Sequence, residues 1–86
     1  MKIELKLFGA FREFDPAPHI VLEVAEGAKV ADLRRAVLDY ATSRWPAFRP
    51  GLLAGSAFAS DTEVLRDDAV LPVDGRMAVL PPVSGG

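Results

Sequence analysis

The residues with the most distinctive chemistry stand at the end of the sequence, where Val79-Leu80-Pro81-Pro82-Val83-Ser84-Gly85-Gly86 closes a stretch of ten uncharged residues that begins at Met77. Two prolines in succession stiffen the chain into extended polyproline geometry, rising about 3.1 Å per residue. The five residues beyond Pro81 would then reach ~15 Å from the body. Glycine has no Cβ, so Gly85 and Gly86 let a backbone thread a narrow channel and present a final carboxylate without steric shielding. That carboxylate has a reference pKa near ~3.5 and is ionised at neutral pH, which makes it a poor electrophile. Activation by ATP as an acyl-adenylate would supply a leaving group. Attack by a sulfur donor would then give a thiocarboxylate, and attack by an amine an amide conjugate.

Other chemistry is scarce. Cysteine is absent, which removes disulfides, thiolate zinc sites, iron–sulfur clusters and a cysteine nucleophile. The single histidine, His19, lies between Pro18 and Ile20; one imidazole does not make a metal site, and a surface or half-buried structural role is expected. Asp61 and Asp67-Asp68 lack the 1-3-5 spacing of a calcium loop and read as solvated turns. Arg34, Arg35, Arg44 and Arg49 read as an exposed basic face, and Trp45 as packing. Phosphate-binding glycine loops and nucleophile elbows are missing. The body is therefore expected to be non-catalytic, with Gly86 as the reactive group.

Composition sets the rest of the frame. The chain has 86 residues, half of them hydrophobic, and ten Lys plus Arg against twelve Asp plus Glu leave a net charge of −2. This length suits one small domain, and the balanced charge argues against a nucleic-acid partner. Met1-Lys2-Ile3-Glu4-Leu5-Lys6 has no apolar signal-peptide core, and the longest uncharged mid-chain stretch, Pro50 to Ser60, is well short of the ~20 residues a membrane span needs. A cytoplasmic protein with no membrane partner is expected.

The elements that must carry the tail are legible in the patterning. Ile3, Leu5 and Leu7 alternate with Lys2, Glu4 and Lys6, a period of two that predicts a strand with one buried face. Ile20 to Val24 predicts a second strand, paired with the first. Between them, Phe8 to Asp15 reads as a loop whose three phenylalanines need cover. Val30, Leu33, Val37, Tyr40 and Ala41 recur at helical spacing and predict one amphipathic helix, ending before Trp45 because Pro46 disfavours the α region there. Lys29 stands where a capping Ser, Thr or Asp is preferred, and Asp32 complements the helix dipole. Pro46 to Gly51 reads as a loop. Three brief strands follow, Ala57–Ala59, Glu63–Leu65 and Met77–Leu80, the last preceded by an Asp74-Gly75 turn. The predicted class is α+β: one main helix on one face of a mixed sheet.

With these elements in place, the chain resembles the small subunits of molybdopterin synthase, ubiquitin-like sulfur carriers, over nearly its whole length. The resemblance is carried by Leu7-Phe8-Gly9 with Arg12-Glu13, by Glu26-Gly27-Ala28-Lys29-Val30-Ala31-Asp32-Leu33-Arg34, by Asp74-Gly75, and most specifically by Leu80-Pro81-Pro82-Val83-Ser84-Gly85-Gly86. It implies a β-grasp domain over residues 1–80 with an extended reactive tail at 81–86. It implies no bound cofactor, with ATP consumed by an adenylating activating enzyme that acts on Gly86, and a sulfurtransferase that makes the thiocarboxylate. The large synthase subunit, in a heterotetramer, would then take the sulfur to build the dithiolene of molybdopterin. Phe8, Leu80, Pro81, Pro82, Val83, Ser84 and Gly85 match the positions that meet partners. A sulfur carrier for thiamine or another pathway, a ubiquitin-like protein modifier and a passive interaction module are the alternatives at this stage.

Overall fold

A computed structural model describes residues 1–82 of the chain. The first strand, β1 (Lys2–Leu7), places Ile3, Leu5 and Leu7 inside and their charged neighbours outside, as the alternation predicts. It pairs antiparallel with β2 (His19–Glu23), where Ile3 faces Leu22 and Leu5 faces Ile20. Between the two, residues Gly9–Glu13 form a 3₁₀ turn where the sequence predicts an irregular loop. The difference has a local cause. Gly9 takes φ +56°, which turns the chain immediately after β1 and lets Phe11 drop into the core while Phe8 stays outside.

The main helix, α1 (Val30–Arg44), buries Val30, Leu33, Val37 and Ala41 and ends at an extended Trp45 ahead of Pro46, as expected. Its first turn lacks a conventional side-chain cap. The Asp32 carboxylate instead accepts the Lys29 N–H at 2.9 Å, while the N–H groups of Val30 and Ala31 donate to the carbonyls of Ala69 and Asp67, each at 2.9 Å. A distant loop thus supplies the acceptors that sequence inspection seeks in a neighbouring side chain.

A second helix, α2 (Pro50–Ala54), occupies part of the segment predicted to be irregular. Pro50 stands at its first turn, where a missing N–H costs nothing and a fixed φ is already helical. Burial of Leu53 secures the turn against the rest of the core. Then come β3 (Ala57–Ala59), β4 (Val64–Leu65) and β5 (Arg76–Leu80). The sheet order is β2-β1-β5-β3-β4, with β1 and β5 parallel at the centre and the other pairs antiparallel. Gly75 immediately precedes the last strand at φ +69°, and its carbonyl accepts the Glu4 N–H at 2.7 Å. A Cβ at that position would run into the Lys2 carbonyl oxygen, so the Asp-Gly turn is also a place of close backbone approach.

Both helices cover one face of the sheet, and the buried residues form one apolar cluster running from Ile3 to Val79. At its edge Trp45 packs among Phe11, Phe14, Tyr40 and Phe48, with Phe14 stacked on it at 5.4 Å between ring centroids. The Trp45 indole N–H donates to Asp15 Oδ2 at 3.1 Å, and the Ala17 N–H donates to Asp15 Oδ1 at 3.0 Å. The Ala17 bond first, then the Trp45 bond, hold the Asp15 pKa below its usual 3.8, against a weaker opposing effect of burial and with help from the Arg44 charge.

A carboxylate depressed in this way stabilises the fold fully above its unfolded pKa and loses that contribution as pH falls through the folded value. Acid titration followed by fluorescence of Trp45, the only tryptophan, should therefore show Asp15→Asn to be less stable than the parent at neutral pH and less sensitive to acid below pH ~4. Identical acid dependence in the two proteins would contradict this assignment.

Candidate functional site

The site is built from β5, which runs through the middle of the sheet between β1 and β3 and ends where the tail begins. Its side chains alternate. Met77 and Val79 enter the core, while Ala78 and Leu80 belong to the face opposite the helices, half-buried by neighbouring strands. On that face Ala78 stands between Lys6 of β1 and Ala59 of β3, and Leu80 stands opposite Ala57. Phe8, which follows β1 in extended conformation, is 45% exposed. Neither Leu80 nor Phe8 belongs to the buried core cluster.

Charge surrounds this apolar end without entering it. Lys6, Arg12 and His19 line an open groove of about 310 Å³ beside Phe8. His19 is exposed at the start of β2, where it pairs with Lys6, in keeping with a surface role. Further along the face, Arg76 pairs with Asp61 at 3.3 Å, so Asp61 is an ion-pair partner in addition to a turn residue.

Arg34 departs from the exposed basic face predicted for it. Its guanidinium donates from Nη1 to the Leu53 and Ser56 carbonyls at 2.7 and 2.9 Å, and from Nη2 and Nε to Asp67 at 2.8 and 3.2 Å. It also lies over the Phe58 ring, 4.9 Å from the centroid. One side chain thus ties α1 to the end of α2, to the entry of β3 and to the loop at Asp67. Asp67, predicted to be a solvated turn residue, is the anionic half of this clamp. Arg34 stands one helical turn beyond Val30, on the buried side of α1, and the chain brought over it by α2 and the Asp67 loop supplies the acceptors that let a charge sit there.

Past Leu80, Pro81 is half-buried and Pro82 exposed. Pro81 lies against Gly9, where a Cβ would come within 2.6 Å of its Cγ, and Pro82 lies near Gly55, where a Cβ would be 3.6 Å away. Gly9 and Gly55 are the neighbours that sequence reasoning missed. They are distant in sequence from the prolines, and the one signal in the sequence is a glycine, Gly9, two residues past the end of β1. Val83, Ser84, Gly85 and Gly86 lie outside the described residues. Among the described residues no group of three or more His, Cys, Asp or Glu is placed to hold a metal ion, and no helix is long and apolar enough to cross a membrane.

An apolar end of an open sheet face, continuous with a proline-stiffened strand exit, can seat a partner and hand it the chain beyond. A model of the ThiS family matches residues 5–86. Among solved structures, the crystal structure of SAMP1 from Haloferax volcanii superposes with a TM-score of 0.74 over 100% of both chains at 22% identity. The solution structure of the Haloferax volcanii HVO 2177 protein gives a TM-score of 0.68 at 25% identity, covering 100% of this chain and 87% of that one. No curated protein matches. The fold is the ubiquitin-like β-grasp expected from the sequence.

Proposed function

The chain belongs to the ThiS family, small ubiquitin-like sulfur carriers, and from that premise we propose that it is the sulfur-donor subunit of a molybdopterin synthase. In this reading residues 1–80 form the docking body and 81–86 the reactive tail. The Gly86 carboxylate attacks the α-phosphate of ATP in an adenylating enzyme, giving the acyl-adenylate and releasing pyrophosphate. The persulfide of a sulfurtransferase then attacks the acyl carbon and displaces AMP, and a second thiol reduces the resulting acyl disulfide, leaving a thiocarboxylate and a disulfide between the two thiols. In the large synthase subunit that sulfur is transferred to a cyclic pterin precursor, and hydrolysis of the acyl group regenerates the carboxylate. The reaction is cytoplasmic, and the bound chemistry belongs to the partners.

The observation that supports the reading is the course of β5: its final residue, Leu80, belongs to the open face, exposed Phe8 follows the Leu7–Val79 pair on the neighbouring strand, and the chain passes at once into Pro81 and Pro82. Docking body and delivered end are therefore continuous through a stiff joint, so binding energy at the face is converted into position at the terminus. Phe8 and Leu80 supply the apolar anchors for such a surface, and Val83, Ser84 and Gly85 the threaded segment. The Pro-Pro-Val-Ser run favours the molybdenum cofactor over a sibling carrier of thiamine synthesis.

The test is the intact mass of the protein isolated from sulfur-replete cells, with fragmentation to locate the change. Exchange of one oxygen for sulfur at Gly86 is the expected result. Lysine-linked conjugates through Gly86 without any thiocarboxylate would instead make the protein a modifier.

A further inference from the structure

We propose that Gly9 is a positioning residue for the reactive end: its bare backbone is the seat on which Pro81 rests, and that contact fixes the direction in which the tail leaves the body. The inference rests on the carrier reading above and deepens it by assigning the part of the body that aims the terminus.

The geometry is specific. Gly9 opens the 3₁₀ turn at φ +56°, directly beyond the end of β1, the strand that lies parallel to β5. That register brings the turn alongside the residue following Leu80. A Cβ on Gly9 would stand 2.6 Å from Pro81 Cγ and 3.3 Å from Cδ, so the proline ring would have to move. The ring is rigid and its φ is fixed, so a ring pushed aside carries the following backbone with it. Pro82 has a second neighbour in Gly55, at the end of α2, where a Cβ would make ordinary contact with Pro82 Cγ at 3.6 Å. The first tail residue is therefore held closely and the second is lined on one side.

Two reasons for glycine coincide at position 9 and have to be separated. The positive φ disfavours a side chain through strain in the turn itself, which lowers stability whatever Pro81 does. The contact with Pro81 acts only through the ring. Replacing Pro81 by Ala removes Cγ and Cδ and relieves the second effect while leaving the first untouched. Asparagine tolerates positive φ better than alanine and still carries a Cβ, so Gly9→Asn supplies a folded variant with the collision retained.

The experiment compares the parent, Gly9→Ala, Gly9→Asn, Pro81→Ala and Gly9→Ala/Pro81→Ala in adenylation of Gly86 by the cognate activating enzyme, with KM and kcat for the carrier measured separately. Displacement of the tail should raise KM about tenfold in both single Gly9 variants with kcat little changed, because docking must first redirect the tail. The double variant should return to the KM of Pro81→Ala alone, while its thermal stability stays as low as that of Gly9→Ala. A second readout needs no enzyme. The chain has no cysteine, so Ser84→Cys carries a single nitroxide whose broadening of backbone amide signals reports the direction of the tail.

That pattern should change in Gly9→Ala and Gly9→Asn and be restored in the Gly9→Ala/Pro81→Ala background. Additive effects of the two substitutions on KM, or an unaltered broadening pattern in both Gly9 variants, would overturn the proposal. Failure of every protein to be adenylated, the parent included, would refute the carrier reading, and the nitroxide pattern would still decide the role of Gly9.

Discussion

Deletion of Gly86 is expected to abolish sulfur transfer while leaving the fold as stable as before. In the carrier reading the chemistry needs an activated carbonyl carbon at one position in a partner's active site. Removing one residue withdraws it by about 3.3–3.6 Å along an extended chain. Misplacement by even 1 Å costs on the order of 10²-fold in a positioned reaction, so the shortened tail should lose at least that much, and in practice all detectable turnover. Stability has a different address. The apolar cluster runs from Ile3 to Val79, the sheet closes at Leu80, and nothing in that cluster is removed with residue 86. Thermal unfolding of the deletion variant should stay within about 0.5 kcal/mol of the parent. Full activity in the shortened protein would refute the carrier reading, and a large drop in melting temperature would refute the division between body and tail.

The largest effect on the fold from a charged residue is expected at Arg34. Its guanidinium satisfies two backbone carbonyls and one carboxylate and lies against Phe58, while its side chain is only 23% exposed. Arg34→Ala leaves the Leu53 and Ser56 carbonyls without this donor and uncovers the Phe58 ring. Loss of a partly buried charge from such a network costs about 2–4 kcal/mol. For a domain of this size the whole stability is on the order of 4–13 kcal/mol, so the melting temperature should fall by roughly 10–25 °C.

Arg34→Lys should recover only part of the loss, because an ammonium cannot hold the planar fork that reaches both carbonyls and Asp67. Arg35 provides the control: it is 74% exposed and 3.7 Å from Asp32, and Arg35→Ala should cost under about 1 kcal/mol. Equal losses at the two positions would show that the clamp contributes no more than a surface charge. Because Arg34 fixes the carbonyls of Leu53 and Ser56, on either side of Gly55, the same substitution should also loosen the neighbour of Pro82.

The elements read most directly from the sequence are those whose cause is local. Alternation in β1, the helical spacing of Val30, Leu33, Val37 and Ala41, the stop at Trp45-Pro46 and the Asp74-Gly75 turn each follow from interactions within a few residues, and all are present. The short helix α2 escaped because Pro50 and Gly51 read as breakers, although proline at a first turn favours a helix once Leu53 has a core to enter. The cap of α1 escaped because its acceptors come from Ala69 and Asp67, far along the chain.

The same division runs through the site. Sequence by itself determined the chemistry on offer: a cysteine-free chain whose only distinctive reactive feature is a Pro-Pro stem ending in Gly85-Gly86, because residue type alone sets stiffness, bulk and charge. Tertiary structure decided the faces and the neighbours. It put Leu80 on the open side, gave Arg34 its partners at Leu53, Ser56 and Asp67, and set Gly9 beneath Pro81, because strand register and chain crossing bring together residues that no spacing rule along the chain connects.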